Sequence, residues 1–296
     1  MTSGQHETGS FGIPGSHPGG GEAGAEGSGG PREPGATEGD DAFVRIEDLN
    51  LSYTTKGRVI RALKEVSLAI RRNSVVSIIG PSGCGKSTLL KVIAKLLPVS
   101  QGAMLIDGER ADRVDLTGRL SFMFQQPLLL PWRTVLSNVL LPVQLLNRDP
   151  RRGQESAEQL LDAVGLTRAM HLRPNELSGG MRQRASLARA LVSSPELLLM
   201  DEPFAAVDEI TREGLQYQLL ELRKQWSTTI VLVTHNVEEA VLLSDTVVVM
   251  SDAPGTIRHV EAVSFPAPRN AQIRGSDEFH HIADRLRSLL AQGSGL

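Results

Sequence analysis

The spacing of hydrophobic residues changes along the chain in a way that predicts alternating strands and helices. Short apolar runs rich in β-branched residues are typical of buried strands, and they occur at 74–79, 197–200, 229–234 and 245–250. Between or after these runs, apolar residues recur every three or four positions, as on one helix face, at 89–97, 155–164, 209–225 and 277–292. This alternation predicts an α/β fold.

Three regions depart from the simple alternation. Strand-like segments between residues 43 and 70 precede the first buried strand, which predicts a small antiparallel sheet there. Helical patterns dominate from about 127 to 192, so we expect a helical subdomain inserted into the α/β core, with a helix at 134–146 among its elements. The amphipathic helix at 277–292 is expected to pack on the core and not on a membrane.

The first forty residues differ in composition from the rest. They contain 13 of the 29 glycines, six acidic residues and one basic residue, in a chain of 296 residues with net charge −3. Such a segment cannot bury enough apolar surface to offset the entropy lost on ordering. The composition therefore predicts a disordered tail over residues 1–41, with a tethered regulatory or targeting arm as the alternative.

Targeting signals and membrane spans are not evident in the sequence. The N-terminus lacks a basic segment followed by an apolar core, and no run approaches the ~18–20 apolar residues that cross a bilayer. We therefore expect a soluble, cytosolic chain. Its one cysteine, Cys84, excludes an internal disulfide.

A phosphate-binding loop follows the first buried strand. The pattern G-x-x-x-x-G-K-[ST] is matched by Gly80, Pro81, Ser82, Gly83, Cys84, Gly85, Lys86, Ser87 and Thr88. A strand, a glycine-rich turn and a helix together direct backbone N–H groups and the positive helix end at a polyphosphate. We expect Gly80, Gly83 and Gly85 to adopt positive φ and to let the backbone approach the ligand.

The side chains of this loop have distinct expected roles. Lys86 is predicted to reach the β- and γ-phosphates, and the Ser87 hydroxyl to complete a Mg²⁺ shell. Cys84 has no base placed to activate its thiol, so it is expected to contribute its backbone N–H. The loop therefore predicts that the chain binds a nucleoside triphosphate.

Further polar residues follow two other buried strands. Asp201 and Glu202 end the strand at 197–200, where Asp201 is placed to hold Mg²⁺ and Glu202 to polarise an attacking water. His235 ends the strand at 229–234 and can reach a γ-phosphate. Asn236, with Glu239 three residues later, resembles a capping arrangement for a short helix.

A second anion site is predicted where a helix begins at Leu177-Ser178-Gly179-Gly180. Ser178 is a good N-cap, and two glycines in the first turn leave the N–H groups uncovered. This site is separate from the phosphate loop in the sequence.

Two apolar features allow alternative interpretations. Tyr53 lies in the polar segment 53–57, read here as a loop, where it either packs on the protein or stacks on a nucleotide base. The proline-punctuated segment Leu128–Trp132 is either tucked under the domain or offered to a partner.

The order of these motifs resembles that of the ATP-binding cassette (ABC) ATPases over residues 43–263. The helix start at Leu177–Gly180, about twenty residues before the acidic strand, is more restrictive than the phosphate loop. Four short sequence segments resemble those of the nitrate/sulfonate/taurine importer branch: Leu130–Val135, Met181–Arg184, Met200–Phe204 and Ala253–Ile257.

The resemblance implies a P-loop NTPase fold, with an ABC-type core, an N-terminal antiparallel β subdomain and an inserted α-helical subdomain at about 127–192. It implies an ATPase domain over 42–275, leaving a C-terminal amphipathic helix over 276–296. Tyr53 would stack on adenine, and residues 80–88 would hold the phosphates of ATP. Two chains would pair head to tail, so that one chain's Ser178, Gly179 and Gly180 contact the nucleotide of the other.

The same resemblance implies the residues of hydrolysis. Gln125 would contact Mg²⁺ and the attacking water, Asp201 would support Mg²⁺, and Glu202 would act as general base. His235 would hold the γ-phosphate and the water, and Asp208 would end a loop that crosses the dimer interface. Two positions depart from the usual pattern, in Ala205–Asp208 and at Gln126, but neither removes a catalytic group.

The implied function is the ATP-hydrolysing subunit of an importer for a small solute such as a sulfonate, taurine or nitrate. Its expected partners are a second copy, a separate membrane permease and, indirectly, an extracytoplasmic solute-binding protein, with the chain peripheral on the inner face of the cell membrane. The alternative is a soluble ABC ATPase acting on nucleic acid or translation. The sequence lacks the sustained heptads and basic stripe expected of that class, so no nucleic-acid partner is expected.

Overall fold

The computed structural model describes residues 42–55, 58–205, 207–225, 227–266 and 269–292. The predicted tail at 1–41 and position 206 of the unusual segment 205–208 lie outside the described residues. The boundaries proposed for the ATPase domain and the C-terminal helix stay predictions.

The described part of the chain contains ten strands and nine α-helices. The strands are β1 Ala42–Thr55, β2 Arg58–Arg71, β3 Val75–Ile79, β4 Gln101–Ile106, β5 Glu109–Arg110, β6 Leu120–Met123, β7 Leu197–Asp201, β8 Thr229–Val233, β9 Thr246–Met250 and β10 Ile257–Ala262. The helices are α1 Lys86–Ile93, α2 Val135–Val139, α3 Leu141–Leu145, α4 Pro150–Ala163, α5 Gly179–Leu191, α6 Glu209–Gln225, α7 Val237–Leu243, α8 Ala271–Arg274 and α9 Asp277–Ala291.

A six-stranded sheet in the order β10-β9-β3-β8-β7-β6 forms the centre of the fold. The five strands from β9 to β6 run parallel, and β10 is antiparallel to β9. β3 and β8 are buried along their whole length, as expected for parallel strands covered on both faces. The carboxyl ends of β3, β6, β7 and β8 therefore meet at one edge of the sheet.

The predicted antiparallel sheet is confirmed, in the order β2-β1-β4-β5. Its first two strands are fourteen residues each and pair from Ala42 with Arg71 to Thr55 with Arg58. They extend further than the apolar pattern indicated. The segment that begins at Tyr53, read from sequence as a loop, therefore starts within a strand.

Helices α2 to α5 lie between β6 and β7, which confirms the inserted helical subdomain. The single helix predicted at 134–146 is wrong, because the structure forms two short helices that meet at Leu140. Pro142 lies in the first turn of α3, where its missing N–H is tolerated. In the interior of one continuous helix over 134–146, the same proline would break the backbone hydrogen bonding. The helix predicted from 155 begins at Pro150, capped by Asp149.

Two hydrophobic clusters cover the two faces of the central sheet. Alternate residues of β3 divide between them: Val75 and Ile79 join one cluster, whereas Val76 and Ile78 join the other. The second cluster includes the antiparallel sheet and α1, and the first includes α4 to α7 and α9. This three-layer packing fixes the strand ends that carry the polar residues.

The last helix packs on the core, as predicted. Phe279, Ile282, Ala283 and Leu286 of α9 are buried in the cluster that also contains the apolar residues of α7. Within the described ranges, none of the helices has the length and apolar character needed to cross a bilayer.

An ion-pair network ties the antiparallel sheet to the starts of β6 and β7. Arg72 and Arg119 each bridge both Asp107 and Glu196. The two guanidinium groups lower the pKa of the Glu196 carboxyl to about 2, chiefly through hydrogen bonds from Arg119 and then Arg72. The network therefore fixes the starts of β6 and β7 against the antiparallel sheet.

Candidate nucleotide-binding site

The phosphate loop has the conformation of an anion cradle. Gly83 and Gly85 have φ of 78° and 109°, as expected, and Gly85 is the N-cap of α1. The first backbone bond of that helix runs from the Leu89 N–H to the Gly85 carbonyl, at 2.8 Å. The N–H groups of the turn before it have no intrahelical acceptor, so they are available to an anion.

The prediction of positive φ is wrong for Gly80. The positive-φ glycines include Gly83 and Gly85 but not Gly80. Its lack of a side chain is required for packing, because a Cβ there would lie 3.0 Å from Cys84 Sγ and 3.0 Å from the Met250 carbonyl oxygen. Cys84 is buried, and burial raises the pKa of its thiol, which agrees with a structural role.

Lys86 is directed into the loop. Its side chain is buried, with the residue 6% exposed, and Nζ donates to the carbonyl oxygens of Gly80 and Pro81 at 2.8 Å each. A positive charge held in this position, beside the free N–H groups at the start of α1, is placed to meet phosphate oxygens.

Ser87 and Asp201 come together although 114 positions separate them. The Ser87 hydroxyl donates to Asp201 Oδ1 at 2.8 Å, because α1 follows β3 and Asp201 ends β7 two strands away. Mg²⁺ prefers hard oxygen ligands and takes few from the protein when phosphates supply others. A hydroxyl and a carboxylate oxygen beside the phosphate loop fit that requirement.

Glu202, Gln125 and His235 converge beside this pair. Glu202 Oε2 lies 3.4 Å from Gln125 Nε2, which donates to it, and 3.6 Å from His235 Nδ1. The three residues follow β7, β6 and β8, so the sheet edge brings them together. Glu202 has φ of 46°, a strained backbone conformation for a residue with a side chain, and its N–H bonds the Val233 carbonyl at 2.9 Å.

This geometry directs the Asp201 and Glu202 carboxylates to different partners. The Asp201 carboxylate points to the phosphate loop, and the Glu202 carboxylate points to the Gln125 and His235 side chains. The adjacent carboxylates can therefore support a metal and polarise a water at the same time.

The start of α5 is exposed. The Ser178 side chain caps the helix by accepting from the Met181 N–H at 3.2 Å, and Ser178 and Gly179 are both solvent-accessible. Gly180 is buried against α6, where a Cβ would lie 2.4 Å from Thr211 Cγ2. The predicted N-cap is thus confirmed, and its role toward a second chain's nucleotide stays a prediction.

Tyr53 lies in β1 and not in a loop. It is half-buried, and its hydroxyl donates to Thr88 Oγ1 at 3.1 Å. The ring is therefore anchored next to the end of the phosphate loop. Its stacking on adenine remains a prediction.

The segment Leu128–Trp132 is divided between the core and the surface. Leu129 packs against the core, whereas Leu128 is 53% and Trp132 69% exposed. Arg189 of α5 holds the start of this segment by donating to the carbonyl oxygens of Pro127 at 2.7 Å and Leu128 at 2.8 Å. Leu129 therefore fits the first alternative, and docking of the exposed residues to a partner stays a prediction.

Three residues that shape the site are not indicated by the sequence motifs. Glu239 lines the same small cavity as Glu202 and His235, Arg189 fixes the segment after Gln125, and Gly255 lies against the phosphate loop. Glu239 was noticed only as a capping position. The sequence signal for it was a carboxyl group four positions after His235, too weak to distinguish a buried residue from a solvated one.

We expect Gly255→Ala to weaken ATP binding. Two backbone hydrogen bonds of 3.0 Å join Gly255 to β2. The Gly255 N–H donates to the Ala62 carbonyl, and the Lys64 N–H donates to the Gly255 carbonyl. An added Cβ would lie 2.1 Å from the Cys84 carbonyl oxygen and would displace the loop. A strain of ~1–3 kcal/mol predicts an affinity loss of about 5- to 150-fold in equilibrium ATP binding.

Gly214→Ala is the matched control for this prediction. A Cβ at Gly214, within α6, meets nothing within 4 Å, so ATP affinity should not change. Equal affinities for the Gly255 and Gly214 variants would contradict the proposed close contact.

The fold and the site together define a P-loop nucleoside triphosphatase with an ABC-type core. The ABC transporter family matches residues 63–205. The nitrate transport protein NasD of Klebsiella oxytoca is 38% identical over 84% of this chain and 96% of its own length. The aliphatic sulfonates import ATP-binding protein SsuB of Bacillus cereus is 36% identical, with the same coverage.

A solved dimer of the ATP-binding cassette MJ0796, bound to ADP and Pi, superposes with a TM-score of 0.67. It is 33% identical and covers 75% of this chain and all of that one. The chain therefore belongs to the ABC transporter family, as an ATP-hydrolysing cassette of the nitrate/sulfonate/taurine importer branch. The resemblance identified from the motif order is confirmed.

Proposed function

We propose that this chain is the ATPase subunit of an ABC importer, working as a head-to-tail homodimer on a separate membrane permease. The observation that carries the proposal is the meeting of Gln125, Glu202 and His235 beside the phosphate loop. These groups can orient and deprotonate a water next to a γ-phosphate.

The phosphate loop binds ATP in this mechanism. Lys86 and the N–H groups at the start of α1 hold the β- and γ-phosphates, and Tyr53 stacks on adenine. Ser87 and Asp201, with Gln125, would hold Mg²⁺, which supplies neutralisation of the phosphate charge.

Glu202 acts as general base on the attacking water. Gln125 and His235 both approach Oε2 of its carboxylate, where they position the water and the γ-phosphate. Because the three groups follow neighbouring strands, the sheet brings them to one edge.

The second chain completes the site. The exposed Ser178 and Gly179 begin a helix whose first N–H groups favour an anion, and we propose that they contact the γ-phosphate held by the partner. ATP binding then joins the two chains, and they separate after hydrolysis, once the products leave. The MJ0796 cassette, which is dimeric with ADP and Pi, supports this arrangement.

The exposed part of the segment Leu128–Trp132 is proposed to lie near the permease surface. It follows Gln125, so a change in the γ-phosphate site can be transmitted to it. In this arrangement the chain is cytoplasmic and peripheral on the inner face of the membrane. An extracytoplasmic binding protein would select the solute, which we place among sulfonates, taurine and nitrate because of the relatives.

Replacing Leu128 and Trp132 together by serine should abolish co-purification with the proposed membrane permease. A buried Trp at the centre of an interface can contribute ~2 kcal/mol or more, and we expect Trp132 to account for most of the loss. The ATPase rate of the isolated subunit should not change. Val260→Ser, at an exposed position on the edge strand β10, is the control.

Retention of the permease by the double variant would contradict this docking surface. Binding of the wild-type chain to duplex DNA at physiological salt, without the permease, would favour the alternative class. The solute is tested separately, by the ligand that raises the melting temperature of the neighbouring binding protein.

A further inference from the structure

A buried carboxyl group lies behind the hydrolytic residues and is not used in the mechanism above. Glu239 is 3% exposed and lines one small cavity together with Glu202 and His235. A buried carboxyl group is costly unless its oxygens are hydrogen-bonded. Its partners therefore indicate what it holds in place.

The first partner is the turn that carries His235. The Thr234 side chain lines the same cavity as the Glu239 carboxyl group and interacts with it, and Thr234 Oγ1 accepts from the Asn236 N–H at 3.0 Å. Asn236 in turn caps α7 by accepting from the Glu239 N–H at 3.0 Å. The residues on both sides of His235 are thus fixed through Glu239.

The second partner leads away from the site to the C-terminal segment. Gln216 of α6 is buried and donates from Nε2 to Glu239 Oε2 at 3.0 Å. Its Oε1 accepts from Arg274 of α8 at 3.1 Å, and Arg274 also pairs with Glu213 at 3.0 Å. The Gln216 side-chain amide therefore donates on one side and accepts on the other, and it connects the His235 turn to residues beyond 263.

The charges around Glu239 do not neutralise it by a direct ion pair. Burial raises the pKa of its carboxyl group, while the Thr234 and Gln216 hydrogen bonds and the charges of Arg212 and His235 oppose that rise. The carboxyl group is held by neutral donors, which suits a role in geometry.

We propose that Glu239 is a positioning residue for ATP hydrolysis. It fixes the turn 234–236 so that His235 faces Glu202, and through Gln216 it couples this turn to Arg274 of the C-terminal segment. The inference rests on the proposed role of His235 and adds to it a buried support behind the hydrolytic residues.

The test measures kcat, KM for ATP and equilibrium ATP binding for variants along this path. Glu239→Leu should lower kcat by about 10- to 100-fold with little change in ATP binding, because a small displacement of a catalytic group is sufficient for such a loss. Glu239→Gln, which keeps the shape and can bond both neighbours, should recover most of the rate. Thr234→Val removes only the hydroxyl and should lower kcat in the same direction.

Arg274→Met tests the connection to the C-terminal segment, with an expected fall in kcat of about two- to tenfold. The matched control is Glu238→Gln on α7, which removes an exposed pair with Arg287 and should leave kcat unchanged. Far-UV circular dichroism of each variant keeps a loss of folding distinct from a loss of positioning.

Wild-type kcat in folded Glu239→Leu and Thr234→Val would overturn the inference. An equal fall in Glu239→Leu and Glu239→Gln would also overturn it, because the positioning role requires rescue by the isosteric amide. If His235→Ala alone leaves kcat unchanged, the proposed role of His235 fails, and this result is distinguishable from failure at Glu239.

Discussion

Glu202→Gln is expected to lower kcat by about 10²- to 10⁴-fold, because the amide cannot accept a proton from the attacking water. The substitution keeps the shape of the side chain and its contacts to Gln125 and His235, which lie 3.4 Å and 3.6 Å from Oε2. ATP binding should be retained or strengthened, since a negative charge next to the γ-phosphate is removed. Single-turnover hydrolysis and equilibrium binding separate the two effects.

The same variant should accumulate as an ATP-bound dimer in size-exclusion chromatography, because hydrolysis no longer releases the two chains. Glu209→Gln, an exposed position at the start of α6, should behave as wild type in both assays. Hydrolysis by the Glu202 variant at the wild-type rate would exclude Glu202 as the base.

Lys86→Ala is the second substitution with a large expected effect. The buried ammonium lies within 2.8 Å of two carbonyl oxygens of the phosphate loop, where phosphate oxygens would gain charge-assisted hydrogen bonds. Losing such bonds costs about 1.5–3 kcal/mol, so ATP affinity should fall about 10- to 150-fold. Titration calorimetry with ATP measures this directly.

Lys91→Ala is the matched control, since Lys91 belongs to the same helix but is exposed. It should bind ATP as the wild type does. Full ATP affinity in the Lys86→Ala variant would contradict the proposed binding of the phosphates by the Lys86 ammonium group.

Much of the site could be predicted because its residues follow strands. An apolar run fixes a buried strand, and a polar residue at its end lies at the sheet edge whatever the strand order. Asp201, Glu202 and His235 were located this way. The phosphate loop is formed by consecutive residues, so its sequence pattern predicts its conformation.

The contacts that the sequence did not reveal are non-local. Gly255 meets Cys84 only because β9 lies beside β3, and nothing near Gly255 in the sequence indicates this. Glu239 depends on Gln216 and Arg274, which come from two other helices. Tyr53 was misplaced because polar residues that follow it continue β1 through pairing with β2, a case of tertiary context overriding local propensity.

Each ATP site is proposed to be built from two chains, and mixing two variants that each damage a different half of the site, at an ATP concentration where each alone hydrolyses little ATP, tests this most directly. Lys86→Ala damages the phosphate loop and keeps Ser178, whereas Ser178→Arg blocks the exposed helix start and keeps Lys86. A head-to-tail heterodimer of the two has one intact site, so an equal mixture should regain about a quarter of the wild-type rate. A mixture that hydrolyses ATP no faster than the two variants alone would contradict a shared site.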